Sequence, residues 1–316
     1  MGNERHTTLG IISVIHGENG SRFPYSNTLF INDEMKAVID TGAGEAPLSE
    51  LKQNKRIDLV INTHFHFDHI AYNYLFSDSA NLINERESKC FRDRRNIGVN
   101  LGIEEVYGSE EVDRWLNRIS HPDTRQSPYS PQNNHKWWLS TTRFDGDYPW
   151  GHVFDFGKTK MHVIAAPGHS EGFCCMYFPD DGIVYVADID LTSFGPWYGG
   201  TDGDIELFIE SCRRIEILDA ETYITGHEAG ILKKREFQTG LDIFLEKINE
   251  RDYRVLAALK EPVTLEDIAG QGLIYGRKYH VDEWVYMWNY LMTKKHVERL
   301  VRLGQATQND NTFVQK

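Results

Sequence analysis

The feature that most narrowly limits the fold of this chain is the run at residues 63–69, with the sequence THFHFDH. It places three imidazoles and one carboxylate within six positions, and burying so many polar groups costs a fold considerable free energy. Coordination of a divalent cation offsets that cost. Mixed imidazole and carboxylate donors suit zinc, iron or manganese better than calcium. The run therefore predicts a metal site.

The surroundings of the run predict a rigid support for this site. Residues 58–62 (DLVIN) form a short apolar segment typical of a buried strand, and the run follows them directly. Three further candidate ligands, His169, Asp188 and His227, each follow a segment with strand character. Strands that deliver such residues to one edge of a sheet would bring all of them together, so we expect a single cluster.

The pattern along the chain predicts an α/β fold with a helical C-terminal part. Short strand-like segments dominate up to the helical spacing of residues 204–218 and the last strand after it. Residues about 85–150 are rich in charged and aromatic side chains, and we interpret them as an insertion. The predicted domains are a catalytic domain at 1–232 and a helical region at 233–316.

With these motifs in this order, residues 8–228 resemble the metallo-β-lactamase fold superfamily. The resemblance implies an αββα sandwich, in which two mixed sheets lie face to face with helices outside and a metal site lies at one edge. It also implies two divalent metal ions, with zinc favoured over iron or manganese. The ligands that it implies are His64, His66 and His169 for the first metal, Asp68, His69 and His227 for the second, and Asp188 as the bridging carboxylate.

Individual positions refine the resemblance. Asp40, in the segment VIDTG, matches an early aspartate of the superfamily, which implies a carboxylate that orients a ligand imidazole. An aspartate at 188, rather than cysteine or serine, is similar to glyoxalase II-like thioesterases, lactonases and related hydrolases more than to antibiotic-hydrolysing β-lactamases. His66 stands where flavodiiron proteins carry glutamate, which argues against an oxygen-reducing di-iron site.

The resemblance implies a hydrolase in which a hydroxide that bridges the two metals attacks a carboxyl-derived bond: a thioester, an ester or a lactone. Asp68 is the catalytic residue that this implies, because its counterparts pass a proton from the water to the leaving group. Two alternatives stay open: a phosphodiesterase or ribonuclease of the same fold, and a persulfide dioxygenase, an oxidoreductase with a single iron. Tyr198, in the aromatic loop at 191–200, is a candidate donor to the developing oxyanion.

The insertion and the C-terminal region lie outside the motifs, and we expect a separate role for each. We expect the insertion to be the source of substrate specificity, through its aromatic rings or through Arg92, Arg94 or Arg95. Residues about 251–316 resemble a small winged-helix-like appendage found on some hydrolases of the superfamily. Basic and acidic residues balance there, so we expect a role in packing or in a homodimer rather than in nucleic-acid binding.

Charge and composition narrow the partners. The chain carries 34 Lys and Arg against 47 Asp and Glu, and this net charge of −13 repels nucleic acids and anionic membranes. No apolar run approaches the roughly 20 residues of a membrane helix, and residues 1–8 lack the apolar stretch of a signal peptide. We therefore expect a cytoplasmic protein with a small-molecule substrate, no membrane partner and no nucleic-acid partner.

Overall fold

A computed structural model describes residues 6–119, 144–276 and 282–316 of the chain, and the statements below concern these residues. The first sheet follows chain order, with β1 to β4 antiparallel and β4 to β7 parallel. Its strands are β1 (His6–Leu9), β2 (Ile12–Ile15), β3 (Thr28–Asn32), β4 (Lys36–Ile39), β5 (Leu59–Asn62), β6 (Ala80–Asn84) and β7 (Gly146–Tyr148).

The second sheet has the order β13-β12-β11-β10-β9-β8, in which only β11 and β12 pair in parallel. Its strands are β8 (Val153–Asp155), β9 (Lys160–Ala165), β10 (Cys174–Phe178), β11 (Ile183–Ala187), β12 (Thr222–Thr225) and β13 (Ile231–Lys233). Because β9 and β11 are both antiparallel to β10, the strands β9, β11 and β12 all end at the same edge of this sheet.

Helices cover the outer faces of both sheets. They are α1 (Glu18–Ser21), α2 (Glu45–Asn54), α3 (Phe67–Ile70), α4 (Ser88–Arg92), α5 (Arg95–Leu101), α6 (Ile103–Tyr107), α7 (Ser109–Ile119), α8 (Ile205–Glu216), α9 (Lys234–Ala258), α10 (Leu265–Ala269) and α11 (Glu283–Arg302). A 3₁₀ turn spans Asn73–Phe76. Within the described residues, no helix combines the length and the apolar character needed to cross a membrane.

The main core lies between the two sheets. Leu29 and Ile39 of the first sheet share one buried apolar cluster with Met176 and Tyr185 of the second. On the outside, the Phe237 ring of α9 stacks on Tyr223 of β12 with ring centroids 4.2 Å apart. Alternate residues of the first sheet, such as Val38 and Val60, pack outward against helices. The predicted αββα sandwich is therefore confirmed.

Two details near the ends of the chain were not evident from the sequence pattern. The strand character near the N-terminus is divided into β1 and β2, because Gly10 adopts a left-handed φ of 67° that turns the chain back on itself. The C-terminal residues form the hairpin of β15 (Ala306–Asn309) and β16 (Thr312–Gln315), to which β14 (Val263–Thr264) is added.

The C-terminal region is in contact with the sandwich as well as with itself. Val255, Ile268 and Leu300 share a small cluster of their own, formed by α9, α10 and α11. The first turns of α11, however, carry Trp284 and Trp288 into the core outside the first sheet. The winged-helix resemblance and the division at residue 232 stay predictions.

Candidate metal centre and the cavity beside it

The two sheets bring the seven predicted ligands to one edge, where the side chains are buried or nearly so. The segments that carry them follow β5 (His64, His66, Asp68 and His69), β9 (His169), β11 (Asp188) and β12 (His227). Asp68 and His69 belong to the short helix α3, which begins at Phe67, so the backbone turn aims both back towards the strand ends.

A first group of ligand atoms belongs to His64, His66, His169 and Asp188, and these atoms all lie within 4.8 Å of one another. The Nε2 atom of His169 is 3.2 Å from Nε2 of His64 and 2.8 Å from Nδ1 of His66. The same nitrogen lies 3.1 Å from Oδ2 of Asp188. Three imidazoles and one carboxylate oxygen therefore converge on one point.

A second group belongs to Asp68, His69 and His227. The Nε2 atom of His227 lies 3.3 Å from Nε2 of His69 and 3.4 Å from Oδ2 of Asp68. The second carboxylate oxygen of Asp188, Oδ1, lies 2.7 Å from Nε2 of His69. One carboxylate thus faces both groups, each with a different oxygen.

Hydrogen bonds outside the cluster determine which nitrogen of each imidazole carries its proton. The Nδ1 atom of His169 lies 2.9 Å from the carbonyl oxygen of Trp197, and Nδ1 of His227 lies 2.9 Å from that of Tyr25. A carbonyl oxygen can only accept a hydrogen bond, so each Nδ1 must be the donor. In the neutral imidazole, the lone pair on Nε2 then points into the cluster.

Asp40 has the same effect on two further imidazoles. It follows β4 with a φ of 56°, and its buried Oδ2 accepts from Nδ1 of His69 at 2.8 Å and from Tyr185 at 3.0 Å. Thr63 donates its hydroxyl proton to Asp40, so that hydroxyl accepts from Nδ1 of His64 at 2.9 Å. The structure thus places Asp40 behind two ligands, where an orienting carboxylate was expected.

The electrostatics of this cluster fit cations. Burial alone would lower the pKa of His69, but the Asp188 and Asp40 carboxylates outweigh burial and raise that pKa to about 10. By contrast, burial and the neighbouring His169 lower the pKa of His66 to about 3. Inward lone pairs and buried carboxylates repel one another unless positive charge lies between them. The donors therefore fit two divalent cations, one in each group.

A carboxylate that the sequence did not single out joins two of the ligand loops. Glu87 is fully buried and accepts from the backbone nitrogen of Phe65 at 2.6 Å, between the first two histidines. It also accepts from the backbone nitrogen of Gly172 at 3.0 Å and from the Ser170 hydroxyl, next to His169. Burial raises the pKa of Glu87 to about 8. In a charge-rich stretch, nothing in the sequence distinguishes it from a solvated glutamate.

The prediction for Tyr198 is wrong, because its hydroxyl points away from the metal ligands. The side chain is fully buried, and the hydroxyl lies 2.7 Å from Nε2 of His296 and 2.9 Å from Nη1 of Arg251. Its neighbour Trp197 instead faces the ligands, since adjacent residues of an extended segment point to opposite sides. Tyr198 joins the site loop to α9 and α11.

A cavity of about 270 Å³ opens beside the ligand cluster. His66, Asp68, His169, Asp188 and His227 form its floor. Most of the remaining wall is apolar, and the apolar lining residues are Phe23, Phe67, Leu101, Phe194, Trp197, Tyr275 and Trp288. The ligand cluster and the cavity together form a site in which a small molecule can reach both groups of ligands.

The described part of the insertion, residues 85–119 and 144–150, contributes only Leu101 to the lining of this cavity. Arg92 donates to Asp147 at 3.0 Å, and Arg95 forms an ion pair with Asp113 on the surface. Residues 120–143 of the insertion lie outside the described residues. Arg92 and Arg95 therefore serve local surface pairing, and the role of the insertion in specificity stays a prediction.

Comparison with known proteins identifies proteins whose sequences are similar to the part of the chain that forms the two sheets. The family profile of the metallo-beta-lactamase superfamily matches residues 22–89 and 139–227. A hydroxyacylglutathione hydrolase of Rhizobium etli is 24% identical over 221 residues, which are 69% of this chain and 66% of that protein. An acyl-coenzyme A thioesterase of Homo sapiens is 26% identical over 216 residues, 61% of this chain and 69% of that protein. The chain thus spans slightly less than two thirds of the bacterial relative.

Two solved structures are similar to nearly the whole chain. A metallo-beta-lactamase family protein from Thermus thermophilus has a TM-score of 0.67 at 17% identity and covers 97% of this chain and 99% of its own. A beta-lactamase domain protein from Burkholderia ambifaria has a TM-score of 0.64 at 14% identity, with coverages of 98% and 93%. At such identities the likeness concerns the fold alone, and it extends beyond the residues that the family profile matches.

Proposed function

Because the chain belongs to the metallo-beta-lactamase superfamily, we propose that it is a hydrolase that uses two divalent metal ions, zinc first among them, to cleave a thioester, ester or lactone. The observation that carries this proposal is Asp188, whose two carboxylate oxygens face the two ligand groups. A carboxylate in this position can join two cations. The names of the two hydrolase relatives, both of which denote thioester cleavage, favour a carboxyl-derived bond.

When bound here, two divalent cations supply an activated water molecule near neutral pH and polarise the carbonyl oxygen of the substrate. The protein supplies the proton transfer. Asp68 lines the cavity beside His227, with its Oδ2 3.4 Å from the ring nitrogen, and its carboxylate can take a proton from the water. Delivery of that proton to sulfur or oxygen completes cleavage of the C–S or C–O bond, and a carboxylic acid and a thiol or alcohol leave.

The hydrogen bonds outside the cluster keep the ligands oriented throughout this cycle. The carbonyl oxygens of Trp197 and Tyr25 accept from His169 and His227, and Asp40 accepts from His69. Each of these three imidazoles therefore keeps its proton on the outer nitrogen, which leaves the lone pair of the inner nitrogen available to hold a cation.

The second ligand group weighs against an iron-dependent dioxygenase with one metal. Asp68, His69 and His227 are as buried as the first group and lie as close together, and a single-iron site leaves such a group without a cation.

The lining of the cavity weighs against a phosphodiester substrate. None of the described residues that line it is Lys or Arg, although phosphate sites usually contain such side chains.

Metal analysis of the purified protein, together with a substrate screen, tests the proposal. We expect about two equivalents of zinc per chain, and turnover of thioesters, esters or lactones that chelation abolishes and zinc restores. Phosphodiesters and glutathione persulfide belong in the same screen. One equivalent of iron with oxygen consumption on the persulfide would contradict the proposal, as would metal-dependent cleavage of phosphodiesters alone.

A further inference from the structure

The cavity wall opposite the metal ligands comes from outside the metal-binding motifs. Trp197 lies in the loop after Asp188, whereas Tyr275 and Trp288 come from the C-terminal region. The Trp197 ring is centred 5.0 Å from the ring of His66 and 5.8 Å from that of Trp288. The Trp197 ring therefore adjoins the ligands, and Trp288 and Tyr275 extend the wall from it. A substrate whose reacting bond lies at the metals would place its neighbouring group against this wall.

This aromatic wall is held firmly in place. Arg251 of α9 is 1% exposed and donates to the carbonyl oxygens of Phe194 and Pro196, while its guanidinium lies 4.6 Å from the centre of the Phe194 ring. The indole nitrogen of Trp197 donates to the Tyr275 hydroxyl at 2.8 Å. The wall is therefore preformed, and binding does not require the rings to be ordered first.

The charges around the cavity are acidic apart from the histidines. The charged lining residues other than the predicted ligands are Asp190 and Glu228, and the described lining includes no Lys or Arg. Arg22 lies 3.9 Å from Glu228, but its side chain is 69% exposed and does not line the cavity. Away from the proposed metal ligands, a carboxylate or phosphate held against the aromatic wall would lose its hydration and find no Lys or Arg among the described lining residues to compensate for that loss.

From this wall and these charges we infer that the cavity binds an uncharged aryl group next to the bond that is cleaved. Tyr275 and Trp288 are then specificity residues that the C-terminal region contributes to the site. The inference rests on the proposed hydrolase function and specifies its substrate class. Stacking and edge contacts with aromatic rings favour an aryl group, while Asp190 and Glu228 disfavour an anionic one.

A series of thioesters with one common leaving group tests the substrate class. The acyl groups are phenylacetyl, 4-carboxyphenylacetyl and acetyl, so the first two differ only in a carboxylate. We expect kcat/KM for phenylacetyl to exceed that for its carboxylate analogue roughly 10–100-fold, mainly through KM. Equal or faster cleavage of the carboxylate analogue would overturn the inference.

Substitutions in the wall test the two specificity residues. Trp288→Ala and Tyr275→Ala should each lower kcat/KM for phenylacetyl about tenfold more than kcat/KM for acetyl, since acetyl does not reach the wall. Trp115→Ala is the matched control, because Trp115 is buried in the same core as Trp288 but does not line the cavity. If both wall variants reduce acetyl and phenylacetyl cleavage equally, the two residues do not determine specificity.

A binding measurement separates this inference from the hydrolase proposal. Trp197 and Trp288 line the cavity, so their fluorescence reports occupancy by 2-phenylethanol or by 4-(2-hydroxyethyl)benzoate, neither of which a hydrolase can cleave. We expect the neutral alcohol to bind at least about tenfold more tightly. If no ester is cleaved but this preference is found, the hydrolase proposal fails and the assignment of the cavity stands. If esters are cleaved without this preference, the assignment of the cavity fails.

Discussion

The metal-binding edge and the aromatic wall border one cavity but are constructed in different ways. The edge consists of polar side chains placed by strand ends, and the imidazoles are oriented by the hydrogen bonds that they donate to Asp40 and to backbone carbonyl oxygens behind the edge. The wall consists of apolar rings placed by packing between a loop and the C-terminal helices. Substitutions at the edge should therefore change metal binding and turnover, whereas substitutions behind the wall should change substrate choice.

The largest effect is expected on the edge, at the proton-transfer residue. Asp68→Asn keeps the shape of the side chain but removes its basic carboxylate, so kcat should fall about 10²–10⁴-fold for every substrate. Steady-state kinetics on the phenylacetyl and acetyl thioesters measure this, with Asp180→Asn on the exposed surface as control. If the Asp68→Asn variant retains more than about a tenth of the wild-type kcat, Asp68 is not the residue that transfers the proton.

Arg251 supports the wall from behind, so Arg251→Met should change substrate preference without changing metal content. It removes the donors that hold the Phe194 and Pro196 carbonyl oxygens and should destabilise the protein by about 3 kcal/mol, measured by urea unfolding. We expect the preference for phenylacetyl over acetyl to fall while the zinc content stays at the wild-type value. Loss of zinc with the preference intact would reverse the roles that we assign to the two regions.

A smaller effect is expected for Asp40, which orients a ligand imidazole from outside the cluster. Asp40→Asn weakens the acceptor for Nδ1 of His69, so zinc affinity should fall about 10–100-fold. Competition with a chromogenic chelator measures this affinity. Asp33→Asn provides the control, because Asp33 is also a buried carboxylate that accepts backbone hydrogen bonds, but it lies away from the ligand cluster. Equal losses in both variants would mean that the effect is not specific to orientation.

The smallest effect concerns Glu87. Because its folded-state pKa is raised to about 8, the protonated form is favoured on folding, and the stability that this gives is lost as pH rises from about 5 towards 8. Glu87→Gln cannot ionise, so the metal-free variant should lose less free energy of unfolding than the wild type over this range. Parallel slopes for the two proteins would show that Glu87 does not titrate there.

The same division explains what could be predicted from the sequence. The ligands of the edge could be found because four of them lie within one short run and each of the others follows a strand segment, so local pattern and chain order suffice. The residues of the wall could not be found in this way, because Trp288 reaches the cavity only through packing of α11 against a loop some 90 positions earlier. Such long-range packing leaves no periodic signal in the sequence.

The orientation of side chains within loops could not be predicted from the sequence either. Tyr198 and Trp197 are adjacent in the sequence, and only the path of the backbone decides which of the two faces the metal ligands. Arg251 lies on a long helix whose charged residues are mostly solvated, so its complete burial has no sequence signal. The two-sheet sandwich followed from the resemblance, whereas the turn at Gly10 depended on a single left-handed residue.

The central claim is that one carboxylate, Asp188, joins two cations at the edge of the sheets. Metal content and kcat of Asp188→Ala, measured by mass spectrometry and with the acetyl thioester, test it most directly, with Asp180→Ala as control. We predict that zinc falls from about two equivalents to one or fewer and that kcat falls at least about 10³-fold, while Asp180→Ala keeps both. Two retained equivalents of zinc with wild-type kcat in Asp188→Ala would contradict the account.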